Sequence, residues 1–143
     1  MSVDALKLLV VDGFPLSTRR GPLWDNFVKI VEHLKTLKIP CRIWVDGSFL
    51  TKKIDPDDID FVVDVPVHAF DSATPIQADF LRKLANMAFC KTEKMHTFVM
   101  FDAPSIHSKF ALSQMLHNQW KRDFGFSYVR KEAKGIAVVG VAP

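Results

Sequence analysis

Residues 41–65 constrain this chain more than any other stretch, because they read as two adjacent strands joined through a turn built on Gly47 and Ser48. Cys41-Arg42-Ile43-Trp44-Val45 is a short apolar run with β-branched and aromatic residues, the composition of a buried strand. Asp46-Gly47-Ser48 breaks it sharply. Phe49 to Lys53 fits a single helical turn, and Asp55-Pro56-Asp57 a second turn. Asp58 to Val65 is the clearest strand pattern in the chain: Ile59, Phe61, Val63 and Val65 alternate with Asp58, Asp60, Val62 and Asp64, and Pro66 closes it.

The flanking sequence supplies helices to cover such a pair. Residues 6 to 11 fit a short strand, followed by a loop holding Gly13, Pro15, Arg19, Arg20 and Gly21. Pro22 suits the first position of a helix, where its missing N–H costs nothing. Leu23, Phe27, Ile30, Val31, Leu34 and Leu37 recur at spacings of three and four, so one face packs inward until Pro40 ends the helix. A second helix is expected from Pro75 to Phe89, with Ile76, Phe80, Leu84 and Met87 or Ala88 inward. Met95 to Phe101 reads as a third strand ending in Asp102-Ala103-Pro104, Ile106 to Lys121 as another helix, and Gly135 to Val141 as a last strand. From Pro22 onward the order is α-β-β-α-β-α-β, which predicts an α+β (α/β) fold with helices packed on a mixed sheet. A chain of 143 residues fits one domain, which buries about two thirds of its unfolded surface. The domain is expected over 1–143, with a core at about 23–102 and a C-terminal helix and strand over 106–141.

Composition narrows the function classes. The chain is 48% hydrophobic and 24% charged, ordinary for a soluble protein, and no apolar run approaches the roughly 18 residues of a membrane span. Leu8 to Val11 is too short for a signal peptide, so a cytoplasmic location without membrane contact is expected. Cys41 and Cys90 stand far apart without a metal-ligand spacing and are expected to be reduced and buried. The net charge of +3 does not by itself point to nucleic acid. Its distribution is uneven, with Asp46, Asp55, Asp57, Asp58, Asp60 and Asp64 set against Lys52 and Lys53, and a basic excess over 91–134. An acidic centre beside a basic flank suits a metal site next to a phosphate-bearing substrate; two ordinary solvated faces would read the same way.

The turn and the second strand carry the candidate chemistry. A strand running into Gly47-Ser48 exposes backbone N–H groups where no side chain blocks a phosphate, and the Ser48 hydroxyl adds a donor. Asp58 and Asp60, two apart on a strand, share a face with their Cα atoms about 6.6 to 6.8 Å apart. That spacing suits a pair of Mg²⁺ ions about 3.5 to 4 Å from each other, and hard carboxylate oxygens suit Mg²⁺. Asp55, Asp57, Asp58 and Asp60 do not form a calcium loop, because Ile59 falls on a ligand position and the glycine and closing glutamate are absent.

Strand, Gly-Ser, short helix and Asp-x-Asp on the next strand resemble the signature of the polymerase-beta-like nucleotidyltransferases. The string from Cys41 through Thr51 to Asp60 also looks like a small bacterial and phage branch of that superfamily. The resemblance is closest over residues 41 to 65 and extends as a fold core over about 23 to 102. It implies a minimal nucleotidyltransferase in which Asp58 and Asp60 hold two Mg²⁺ (Mn²⁺ in their place), and Gly47 and Ser48, with Lys52 and Lys53, hold a nucleoside triphosphate such as ATP. Nine residues separate Ser48 from Asp58, where such proteins often have ten. The family also places a third carboxylate, metal ligand and general base, on a later strand. Asp102 is the residue here that qualifies, and Asp64, on the face of Asp58 and Asp60, lies too far along its strand.

Other residues carry weaker signals. His68, His96, His107 and His117 show no metal spacing, and His96 falls nearest the proposed site. Arg122, Arg130, Lys131 and Lys134 suit substrate phosphates or an RNA backbone. Phe124, Phe126 and Tyr128 would either stack a base or cap the core. The expected activity is Mg²⁺-dependent nucleotide transfer to a protein partner, a tRNA or other RNA end, or another nucleotide. The rivals are a catalytically weak nucleotidyltransferase fold acting as a binding partner, in a toxin–antitoxin pair or phage defence, and a simple RNA-binding module.

Overall fold

The apolar run at 41–45 and the alternating run at 59–65 become the two central strands of the sheet. The structure, a computed structural model, describes residues 1–127, 132–133 and 135–142. Strand β1 (Cys41–Asp46) pairs antiparallel with β2 (Ile59–Pro66), aligning Asp46 with Asp60 and Arg42 with Asp64. Helices α3 (Val67–Asp71) and α4 (Pro75–Ala85) then carry the chain back to β3 (Met95–Asp102), which runs parallel to β2 with His96 opposite Asp60. Helix α5 (Phe110–Gly125) leads through a short β4 (Phe126–Ser127) and β5 (Glu132–Ala133) ladder to β6 (Ala137–Val141), antiparallel to β1. The sheet order is β3-β2-β1-β6, and the whole is one α+β domain with a mixed sheet, the class expected from the element order.

Alternation divides the sheet into two faces. Ile43, Val45, Ile59, Phe61, Val63, Val65 and Met95 point into the main core, against the N-terminal helix α1 (Val3–Lys7), α2 (Arg20–Thr36) and α4. The other face presents Trp44, Val62, Phe98 and Met100, and α5 lies on it through Leu116, Trp120 and Phe124. Phe98 and Trp120 rings approach to 4.7 Å between centroids.

Several boundaries differ from the expectation. Residues 6–11 are helical: α1 (Val3–Lys7), capped by the Ser2 hydroxyl accepting from Ala5 N–H, runs on through a π-helical turn to Asp12. Leu6 and Val10 are buried while Leu8 and Leu9 are exposed, a spacing of four that a helix satisfies and a strand does not. Helix α2 begins at Arg20, so Pro22 is its third residue, still within the first turn whose N–H groups lack internal partners. It ends at Thr36, three residues before Ile39, because Lys38 turns left-handed at φ 54°. Helix α4 is shorter than expected, stopping at Ala85 before left-handed Met87 (φ 53°). Its buried stripe is Phe80, Leu81 and Leu84, with Ile76 and Met87 exposed. Helix α5 starts at Phe110, and Ile106 is almost fully exposed. No helix among the described residues is long and apolar enough to cross a membrane.

One side chain fixes the loop between β1 and β2. Arg20 is fully buried at the start of α2, and every one of its donor nitrogens meets a carbonyl. Nη1 donates to Val10 O (2.8 Å) and Phe49 O (2.6 Å), Nη2 to Thr51 O (2.9 Å) and Lys53 O (2.5 Å), and Nε to Ile54 O (3.2 Å). The Phe14 ring lies on the guanidinium, 3.7 Å from its central carbon. These carbonyls have no sheet partners, and losing the guanidinium leaves the buried contacts at Val10 and Phe49 without a donor. Replacing Arg20 by Met is expected to cost about 3 to 5 kcal/mol. Arg19→Met, at an exposed position, should cost less than about 1 kcal/mol. Urea unfolding of the two variants beside the parent checks the contrast.

Candidate functional site

The acidic residues that looked like one cluster in sequence divide into three groups. Asp55 accepts hydrogen bonds from Ser17 Oγ (2.8 Å), Thr18 N–H (3.0 Å) and Arg19 N–H (3.2 Å) ahead of α2, and the Ser17 bond above all holds its pKa below the ordinary value. Asp57 pairs with Lys53 (2.8 Å) and Arg19 (2.5 Å), which likewise lower its pKa, the Lys53 bond most. Asp64, fully buried at the far end of β2, accepts from Arg42 (2.7 Å) and sits 3.0 Å from His117 Nε2. Asp46, Asp58 and Asp60 remain, gathered where β1 ends and β2 begins.

Register places Asp46, Asp60 and His96 in a row across three strands, with Asp58 two residues before Asp60. Residues two apart along a strand present side chains to one face, so Asp58 and Asp60 both approach the His96 ring. His96 Nδ1 lies 3.0 Å from Asp60 Oδ1 and Nε2 lies 3.6 Å from Asp58 Oδ2. One donor atom from each of the three residues falls within 4.8 Å of the others. Burial pushes the Asp60 carboxyl above its ordinary pKa, the Asp58 charge adds to the rise, His96 opposes it, and Asp46 raises it further.

Gly47 holds the turn against this row. Its φ of 82° and ψ of −168° lie where only glycine is at ease, and a Cβ there would stand 2.2 Å from Asp60 Oδ2. Ser48 to Leu50 form a single 3₁₀ turn, closed by Leu50 N–H on Gly47 O and Thr51 N–H on Ser48 O, both at 3.1 Å. Two clefts open on either side of the row. One, about 720 Å³, is lined by Leu9, Phe14, Asp46, Gly47, Lys52 and Ile136 among others. The second, about 670 Å³, is lined among others by Arg19, Asn26, Asp58, Lys91, Lys94 and His96.

The chain belongs to the DUF6932 family. The family's model, described as a family of unknown function, matches residues 1–140. No curated protein and no solved structure matches the DUF6932 chain.

Of the residues expected at the site, the structure brings together Gly47, Asp58 and Asp60, with Ser48 in the adjoining turn and Lys52 on the neighbouring cleft. Lys53 is turned to Asp57. Asp102 is not with them. It pairs with Pro66 in the parallel register, six residues beyond His96 and so about 20 Å along the strand. There it meets Arg42 at 3.2 Å, which also holds Asp64. The residue of β3 that faces Asp60 is His96. Phe124 is buried against Trp44, Val62 and Met100 and caps the core rather than stacking a base. Arg122 is exposed beside Asp123 (3.5 Å), and Phe126 opens β4. Tyr128, Arg130, Lys131 and Lys134 lie outside the described residues. Cys41 is buried as expected, its thiol pushed up to about 12 by burial and then by Asp64, whereas Cys90 is half-buried on the second cleft.

Two stability measurements follow from this geometry. Asp60 has a folded pKa above its unfolded one, so ionising it opposes folding: its contribution is present below about pH 3.9 and lost as pH rises through the folded value. Asp60→Asn should therefore raise the melting temperature at pH 7 in metal-free buffer, with the gain shrinking toward pH 4 in a pH series. Gly47→Ala should lower stability by about 1 to 3 kcal/mol by denaturant titration, since the new methyl strains the turn and displaces the Asp60 carboxylate.

Proposed function

We propose that the protein is a divalent-metal-dependent nucleotidyltransferase, moving a nucleotide from a nucleoside triphosphate to a protein or RNA acceptor. The observation that carries this reading is the seat of Gly47 against Asp60: a side-chain-free turn meets paired carboxylates from the next strand, an arrangement suited to phosphoryl transfer. The cleft lined by Gly47 and Lys52 suits the triphosphate, and its apolar wall of Leu9, Phe14 and Ile136 suits the base. The cleft on the other side of the row, with Asp58, Asn26 and Arg19 on its walls, suits the acceptor.

The donor chemistry of Asp58 and Asp60 fits Mg²⁺ or Mn²⁺, and both carboxylates keep part of their surface open to an ion. Bound there, such ions would neutralise charge on the transferring phosphoryl group and the departing pyrophosphate. The chain's own contribution is to hold the triphosphate on the Gly47–Ser48 turn and to orient the acceptor hydroxyl. Its oxygen forms the new bond to the α-phosphorus as the bond to pyrophosphate breaks, and its proton leaves to water.

One observation favours a second reading, a catalytically weak relative that acts as a binding partner in a toxin–antitoxin pair or in phage defence. Asp102 stands at the far end of β3, so the three carboxylates expected of an active enzyme are not assembled.

Label transfer decides between them. Protein incubated with Mg²⁺ or Mn²⁺ and labelled ATP, GTP, CTP or UTP, with and without host extract, should pass label to a protein or RNA. Asp58→Asn should reduce that transfer at least about a hundredfold, and Asp102→Asn should leave it unchanged. A partner that stays unlabelled and still co-purifies with Asp58→Asn would establish the binding role instead.

A further inference from the structure

We infer that Asp58 and His96 hold one divalent cation of the borderline class, Mn²⁺, Fe²⁺ or Zn²⁺, with His96 Nε2 as a nitrogen ligand and Asp60 orienting the ring. It uses two carboxylates of the proposed transferase site but needs no nucleotide chemistry, and it replaces the expected all-carboxylate magnesium pair.

The imidazole is oriented as a ligand. In the Nδ1–H tautomer the ring donates to Asp60 Oδ1, 3.0 Å away, and turns the Nε2 lone pair away from that carboxylate. That lone pair faces Asp58 Oδ2 at 3.6 Å, too long for a hydrogen bond. In that tautomer the two atoms frame a gap that a cation between them would bridge. Two donors each about 2.1 Å from one ion at a tetrahedral angle stand about 3.4 Å apart, close to this separation. A histidine that binds metal through one nitrogen while donating the other N–H to a carboxylate is the usual way a protein fixes the ring.

The second carboxylate fixes the ring. Asp60 meets the ring through Oδ1 and keeps Oδ2 against the glycine turn, where a Cβ at 47 would collide with it. One donor atom of each of the three residues lies within 4.8 Å of the others. Cleft space opens along Asp58 and His96, so an ion has a path in and solvent ligands have room. The ligand set then decides the metal. Carboxylates alone select Mg²⁺ or Ca²⁺, whereas an imidazole shifts preference toward first-row transition ions. The third carboxylate expected from the sequence would have kept the site hard, and Asp102 is held by Arg42 at the other end of the strand.

The test uses the full chain, stripped of metal, with Mn²⁺ alone as the probe. Calorimetry should give one Mn²⁺ per chain, bound at least tenfold more tightly than Mg²⁺. Pulsed electron paramagnetic resonance should show nitrogen modulation from a directly bound imidazole. His96→Gln should remove the modulation and weaken Mn²⁺ at least tenfold with little change for Mg²⁺, and His96→Asp should shift the preference toward Mg²⁺. Metal-free melting curves establish that both variants fold, and the modulation in the parent protein decides the matter even if they do not. Bound Mn²⁺ without nitrogen modulation, two ions per chain, or no binding at millimolar Mn²⁺ would each overturn the inference. Nitrogen-ligated Mn²⁺ with no label transfer from any triphosphate leaves the metal centre standing and removes the transferase reading. Transfer supported by Mg²⁺ and unchanged in His96→Gln does the reverse.

Discussion

The Arg20 guanidinium holds the connection between β1 and β2 in a shape that the backbone could not keep by itself. Residues 49–54 leave the sheet and make no ladder, so their carbonyls need partners from elsewhere. Arginine suits because its planar fork offers donors in several directions at once, and here it reaches Phe49, Thr51, Lys53 and Ile54 on the connection and Val10 at the end of the N-terminal helix. The pocket is closed by aromatic faces, Phe14 at 3.7 Å and Phe49 at 5.2 Å, which accept the charge without competing for its N–H groups. A lysine would offer fewer donors with no fixed plane. Chain geometry on both sides of the loop follows, because Gly47 leaves β1 and Asp58 enters β2 through the same clamped segment.

Asp55 and Asp57 complete the clamp from outside. Asp55 closes over the backbone ahead of α2 and Asp57 bridges Arg19 and Lys53, so two of the acidic residues serve the loop rather than the site. At the opposite end of β2, Asp64 is held by Arg42 and by His117, whose Nδ1 is anchored 2.7 Å from Ser113 O, and so fastens α5 to the sheet. Spending these carboxylates on structure leaves Asp46, Asp58 and Asp60 as the concentrated charge.

How much of this was legible depended on the range of the pattern. Period-two alternation over 58–65 and the Gly47-Ser48 break are local signals, and they located β1, β2 and the turn to within a residue or two. The N-terminal run misled because Leu8-Leu9-Val10-Val11 is apolar throughout, and only burial shows that Leu6 and Val10 form the inward pair. Arg20 was not legible: a buried arginine bonded to carbonyls leaves no sequence trace beyond its own letter. The partner of Asp60 was within reach. A helix between two strands implies a crossover and therefore parallel pairing, so the start of β3 must meet the start of β2. That rule selects His96 beside Asp60 and sends Asp102 to the far end, whereas attention to residue type alone had favoured Asp102.

The same topology explains why strain and repulsion collect at one edge of the sheet. β1 runs toward the edge from which β2 and β3 start, so the end of one strand and the beginnings of two others converge there. Their connections, 47–58 and 86–94, leave from that edge and wall the clefts instead of burying it. Elsewhere the sheet is sealed by α2 and α4 on one face and α5 on the other, where a misplaced charge would have no access to water or ions. At this edge a left-handed glycine sits against a carboxylate, and Asp46, Asp60 and His96 share a row with Asp58 beside it, where Asp58, Asp60 and His96 keep part of their surface open to water. An amide at 60 would remove the repulsion among the carboxylates, whereas the left-handed turn at 47 calls for glycine whatever stands at 60.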